Sequence, residues 1–132
     1  MISDPISDLL VRIKNGGLVG KAEVAVPFSR VKEAVLKVLS EAGYIAGYEA
    51  NESAGKKGLT VRLKYDHRAK HFIKGVKRVS SPGCHIYIAS SEIKKLVRGR
   101  NKLGIISTSR GVISHHRAEQ ENLGGEFLAL VW

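Results

Sequence analysis

The chain has 132 residues, with 22 Lys and Arg against 12 Asp and Glu, a formal net charge of +10 and a pI near 10.0, which points to a polyanionic partner, nucleic acid before membrane. One cysteine, Cys84, excludes an internal disulfide framework and a multi-cysteine zinc site. No apolar run approaches the roughly 20 residues a spanning helix needs, and the opening residues do not read as a secretory signal, so a soluble intracellular protein with no membrane role is expected.

In chain order, Asp4 caps a helix with Pro5 at its first position. Ile6, Leu9, Leu10 and Ile13 recur on one face, Asp8, Arg12 and Asn15 lie opposite, and Asn15-Gly16-Gly17 is the expected stop. A short strand over 23–26 ends at Pro27. Ser29 then caps a second helix with Val31, Ala34, Val35, Val38, Leu39 and Ala42 as its buried face and Gly43 at its C′ position. Residues 44–50 and 59–65 read as antiparallel strands joined by a polar turn over 51–58. The charged stretch 66–71 has no periodicity and reads as a linker, dividing the chain into an α-β-α-β-β part, 1–65, and a β-rich part with short helices, 72–132. The fold class is α/β of the α+β type, in two small mixed domains.

Beyond the linker, strand-like segments 76–79 and 85–89 flank Ser80-Ser81-Pro82-Gly83, with Pro-Gly placed for a type II turn. Cys84 reads as a small apolar strand residue. Ser90 or Ser91 is positioned to cap a helix reaching Arg98 with an apolar stripe of Ile93, Leu96 and Val97. Residues 104–107 and 111–114 are strands around a loop of hydroxyls, 115–122 is a short polar helix, and 127–132 is a closing apolar strand.

The loop Ser107-Thr108-Ser109-Arg110-Gly111 supplies small donors and acceptors suited to a sugar-phosphate surface. Gly111 lets the backbone turn, and Gly124-Gly125 would let backbone amides approach the same surface. Glu126 has two readings, a carboxylate that orients a loop hydroxyl or a base amino group, and a strand-end acid paired with a nearby cation. Tyr87 is either a base-stacking ring or a core ring with a wet hydroxyl. Residues 66–132 hold twelve cations against five acids, and two basic runs, 67–78 and 94–102, flank the loop. A single such run reads as a solvated face; two point to a binding surface. A nuclease could be drawn from His115, His116, Arg110, Arg117 and Glu119, but adjacent helical residues point about 100° apart, and no metal-type carboxylate cluster or nucleotide fingerprint accompanies them. A general single-strand binder is the other alternative; its aromatic strand motif is missing, the eight aromatics being scattered.

Four blocks carry a resemblance: DPISDLLVRIKNG, VPFSRVKEAVLKVLSEAGYI, KRVSSPGCHIY and the C-terminal GIISTSRGVISHHRAEQENLGGEFLALVW. In order and spacing they resemble the bacterial S-eight family of small-subunit ribosomal proteins across essentially the whole chain. The resemblance implies a two-domain α/β protein without cofactor, metal or catalytic activity, located in the cytoplasm on the ribosome. It implies binding to the central domain of small-subunit ribosomal RNA, early entry into the subunit, organisation of its platform and, as in some bacterial members, repression of its own operon through a messenger that imitates the ribosomal site. Its implied neighbours are small-subunit proteins five and twelve, and outside the ribosome it would be a monomer. By resemblance the RNA contacts fall on Ser107, Thr108, Ser109, Arg110 and Gly111, on Gly124, Gly125 and Glu126, and on Tyr87. Arg12, Asn15, Arg30 and Lys32 match N-terminal positions facing a second RNA region. The chain departs from the family pattern at Ser81 and Cys84-His85 around the Pro-Gly turn, and at His115-His116.

Overall fold

The computed structural model describes residues 4–97 and 102–132. Helix α1 spans Pro5–Leu18, followed by β1 Glu23–Pro27, α2 Arg30–Glu41, and the hairpin of β2 Ile45–Ser53 and β3 Lys56–Leu63. The second half contains β4 Val76–Arg78, β5 Tyr87–Ile88, a 3-10 turn Ser90–Glu92 leading into α3 Ile93–Leu96, then β6 Leu103–Thr108, β7 Gly111–Ser114, α4 His115–Gln120 and β8 Gly125–Val131. The result is the expected mixed α+β arrangement, and all strand pairings are antiparallel. The first sheet has the order β1-β3-β2. The second has the order β4-β8-β6-β7, with β5 pairing β8 beyond β4.

Asp4 caps α1 by accepting from Ser7 N–H at 3.2 Å, but the helix does not stop at Asn15-Gly16-Gly17. Packing overrides the glycines' helix-breaking tendency. A Cβ at Gly17 would sit 1.9 Å from the His71 ring, and one at Gly16 would sit 2.6 Å from Val24. Both glycines are therefore close-approach residues inside the helix. Termination comes one turn later, where Gly20 at φ +77 lets Lys21 N–H bond Gly16 C=O at 3.0 Å. The end of α2 follows the sequence reading: Gly43 adopts φ +82 and Tyr44 N–H reaches Leu39 C=O at 3.0 Å. The α2 face differs in three residues. Because α2 packs against both β2 and β7, its apolar arc widens to bury Leu36 fully, whereas Ala42 is exposed. Lys32 is turned inward at 7% exposure, with Nζ donating to Pro27 C=O at 3.4 Å.

The β2–β3 hairpin is longer than the polar composition of 51–58 suggests. Ala54 and Gly55 form a two-residue turn with φ +52 and +77, the geometry that matches strand twist, and pairing runs out to Ser53 opposite Lys56. At the Pro-Gly turn, Gly83 does not adopt the positive φ that type II requires; Ser81 and Cys84 instead exchange two backbone bonds of 2.9 and 3.0 Å. Cys84 is exposed in that turn rather than packed in a strand. Neither Ser90 nor Ser91 caps a helix, and Leu96 is 47% exposed because α3 is a single turn with only Ile93 directed fully inward. The expected helix end at Arg98, and Arg98 and Arg100 of the second basic run, lie outside the described residues, as do the first three residues. Among the described residues no helix is long and apolar enough to cross a membrane.

One core cluster joins both sheets, drawing Leu9, Leu10, Ile13, Val35, Leu39 and Val61 from the first half and Leu103, Ile105, Ala129 and Val131 from the second. A smaller cluster, with Ile88, Ile93, Ile106, Ile113 and Phe127, fills the opposite face of the second sheet. Arg78 on β4 ties the halves further by pairing with Asp4 at 3.0 Å and donating to Leu128 C=O. The stretch 66–71 is a closed loop: Asp66 Oδ1 accepts from Arg68 N–H at 2.8 Å and Lys70 N–H at 2.9 Å, and Tyr65 bridges His71.

Candidate nucleic-acid interface

The second sheet brings most of the singled-out residues to one end. Register sets Tyr87 opposite Glu126 and Glu126 opposite Ser107, so three adjacent strands, β5, β8 and β6, contribute one cross-strand row. Partners in a row share a face of the pleated sheet. The preceding row on β6 and β8, Ile106 opposite Phe127, points to the other face and is buried in the smaller cluster. Tyr87 is 70% exposed, which decides its case: it is not a core ring.

Next to the row, the hydroxyl loop is a tight hairpin. Thr108 and Gly111 pair across it, with Gly111 at φ +103. The three hydroxyls are not equivalent. Thr108 Oγ1 donates to Gly111 C=O at 2.9 Å and accepts from Arg110 N–H at 3.1 Å, so this hydroxyl holds the turn together. Ser109 at the tip is exposed, and Ser107 is half-buried in the row. Arg110 leans back onto α4, where Glu121 takes Arg110 at 3.2 Å and Arg117 at 3.1 Å.

The glycine pair is also required by the sheet itself. A Cβ on Gly125 would stand 2.1 Å from Ser107 O, and one on Gly124 would stand 2.6 Å from Ile88 O. These glycines let β8 close against β6 and against the end of β5, so their missing side chains serve the sheet itself. Glu126 has a side-chain partner within the protein: its carboxylate lies 2.7 Å from His85 Nδ1. His85 thereby becomes part of the site, with its ring 6.4 Å from that of Tyr87.

Two residues have positioning roles that the sequence reading missed. Ser80 is fully buried, and its Oγ accepts from Ile86 N–H at 2.8 Å and donates to Ile86 C=O at 3.2 Å, which locks the 80–86 turn that presents Tyr87. Its place ahead of Ser81-Pro82-Gly83 was the available signal. His115 is the second. Gly104 N–H donates to its Nδ1 at 2.9 Å, and burial, aided by His116, pushes its pKa down to about 4. It is a neutral strut between α4 and β6. Against the expectation of divergent side chains, the His115 and His116 rings lie 4.0 Å apart. Both sit in the first turn of α4, where side chains lean toward the N-terminus and meet no preceding turn. Held neutral and spent on Gly104, His115 is a poor partner for acid–base work. Among the described residues no cluster of three or more His, Cys, Asp and Glu is placed to hold a metal.

The N-terminal residues form a separate surface. Arg12 pairs with Asp8 at 3.2 Å and lines, with Asn15 and Lys21, a shallow pocket of about 560 Å³ between α1 and β1. Arg30 is exposed at the start of α2, and Lys32, two residues on, is buried. Among the described residues, none of the four is bonded to the hydroxyl loop.

Fold and surface define a basic α+β protein that presents a polar row and an exposed ring at one end of an open sheet. The family model described as Ribosomal protein S8 matches residues 4–132, and the chain belongs to that family. It is 47% identical over 130 residues to small ribosomal subunit protein uS8 of Methylococcus capsulatus, covering 98% of each chain. It is 41% identical over 132 residues to the uS8 of Dehalococcoides mccartyi, with full coverage of both, and 40% identical to that of Thermus aquaticus, again over the whole of both chains.

Proposed function

We propose that this chain is a structural constituent of the small ribosomal subunit that binds the central domain of its ribosomal RNA with the end of the second sheet. The observation that carries the reading is the row Tyr87, Glu126, Ser107 beside the exposed Ser109 tip, on a chain of net charge +10. A shallow RNA minor groove is read by shape and 2′-hydroxyls, which suits small hydroxyls on a rigid hairpin, while an exposed ring takes one unpaired base. His85 and Glu126 fix the floor between the ring and the hydroxyls.

In this assignment the part from 72 to 132 makes the primary contact. Arg12, Asn15 and Arg30 meet a second RNA region, and Lys32 acts by supporting Arg30's end of α2. Binding early, the protein would organise the platform beside proteins five and twelve, and a messenger imitating the site would allow repression of its own operon. Family membership supports a structural role over catalysis. The test is filter binding to transcripts of the separate domains of small-subunit ribosomal RNA at physiological ionic strength. Selective retention of the central-domain transcript, intact after incubation, is expected. Equal retention of all transcripts would leave only a general nucleic-acid binder.

A further inference from the structure

A second cationic surface lies at the far end of β6 from the hydroxyl hairpin. From Leu103 to Thr108 the strand covers five steps of about 3.3 Å, roughly 17 Å. At the Leu103 end a cleft of about 1170 Å³ opens between the C-terminus of α2, the 64–74 segment and the end of β8. Lys64, Arg68, Lys70, Lys74 and Lys102 line it. Asp66 is the one acidic residue in the lining, and its Oδ1 accepts from two backbone N–H groups of its own loop. Among the described residues none of those five cations is in an ion pair. Other lysines, such as Lys37 and Lys56, are likewise outside the ion pairs, but here five cations line one cleft with a single acid among them.

Aromatic rings alternate with these cations. Tyr44, Phe72 and Trp132 share the lining. Lys64 Nζ lies 4.9 Å from the Phe72 ring centre and Lys102 Nζ 6.0 Å from that of Trp132. Phe72 remains 39% exposed. Cations for phosphates beside rings for base faces are what an unpaired nucleic-acid strand requires, whereas an acidic peptide would use the charges and gain little from the rings.

We propose that this cleft binds a single-stranded RNA segment distinct both from the one held at the hydroxyl hairpin and from the region assigned to Arg12, Asn15 and Arg30, so that RNA is held at both ends of β6. The proposal rests on the ribosomal RNA reading only for the source of the strand; its site and readout are separate.

Trp132 is the only tryptophan in the chain, so its emission reports directly on the cleft. The full-length protein is titrated with an oligouridylate of about 12 nucleotides, and in parallel with a poly-glutamate peptide of equal charge. The Lys70→Glu/Lys74→Glu variant removes two exposed cations from the rim, and Lys37→Glu/Lys56→Glu makes the same charge change at exposed sites outside the cleft. Expected are a saturable emission change with the RNA, at least tenfold weaker binding in the cleft variant, less than threefold in the control, and a salt slope lower by about 1.4 in the cleft variant. Tyr87→Ala should leave the oligouridylate signal unchanged while weakening retention of the central-domain transcript, which separates a failure of one site from a failure of the other. Equal losses in the cleft and control variants, binding without an emission change, or tighter binding of the peptide would each overturn the proposal.

Discussion

Replacing Gly125 with alanine separates two reasons for a glycine at this position. The new Cβ would lie 2.1 Å from Ser107 O and 2.9 Å from Ser107 C, both backbone atoms, where real contacts do not fall below 3.0 Å. No rotamer change relieves that overlap. β8 and β6 must part by roughly 1 Å at the Glu126–Ser107 pair, disrupting the row that carries the proposed contact. Overpacking costs about 1–3 kcal/mol, and a backbone clash belongs at the upper end. The lower entropy of the unfolded alanine chain offsets about 0.4–1 kcal/mol, leaving about 2 kcal/mol. For a chain of this length that lowers the melting temperature by roughly 6–10 °C. Gly83→Ala is the control, since a Cβ there meets nothing within 4 Å, and its effect should stay within about 0.5 kcal/mol. Circular dichroism melts of both variants, with filter binding of central-domain RNA alongside, decide the matter. A Gly125→Ala protein that melts like the parent yet fails to bind would refute the packing argument and return the glycine to the RNA surface.

His115 links stability to pH. Its folded pKa of about 4 lies below the unfolded value near 6.5, so its contribution is complete above pH 6.5, declines as acid protonates the unfolded chain, and is lost by about pH 4. The loss attributable to it is up to about 3 kcal/mol, and burial pushes the His71 pKa in the same direction. His115→Asn, which keeps an acceptor for Gly104 N–H, should flatten a urea-denaturation profile across pH 4–6.5; an unchanged profile would contradict the assignment. Asp4→Ala removes both the α1 cap and the partner of the largely buried Arg78, at a cost of about 2–4 kcal/mol. Asp4→Asn retains the capping oxygen and should cost measurably less in the same denaturation experiment; equal losses would mean that the ion pair alone matters.

Local patterns disclosed the elements because the forces that start and stop them are local. Asp4, Ser29 and Gly43 act within one turn of themselves, and each performs its expected role. The glycines of α1 do not, because what selects them is His71, more than fifty residues away, and Val24 on the following strand. Leu36 lies outside the buried face read from the sequence, and it is buried because α2 is covered by both sheets. The common core could not be read from alternation, which shows that Ile105 and Ala129 are buried but not what covers them. At the candidate site the residue types were legible and their division of labour was not. The sequence singles out Thr108, Gly124, Gly125 and Glu126 together with Ser109 and Tyr87, yet the first four also make side-chain hydrogen bonds or close approaches within the protein that, among the described residues, the last two lack.

That division makes Ser109 and Tyr87 the sharpest probes of the interface. Both are exposed, and neither side chain supports the hairpin by a hydrogen bond among the described residues, so Ser109→Ala and Tyr87→Ala should leave the fold intact. Losing a hydroxyl contact costs about 1 kcal/mol and losing a stacked ring about 1–3 kcal/mol. The double variant should therefore bind central-domain RNA on the order of thirtyfold to several hundredfold more weakly. The decisive measurement is its dissociation constant for that transcript beside its thermal unfolding curve: weakened binding with a parental melt is the predicted result, and parental binding would contradict an RNA contact at this end of the sheet.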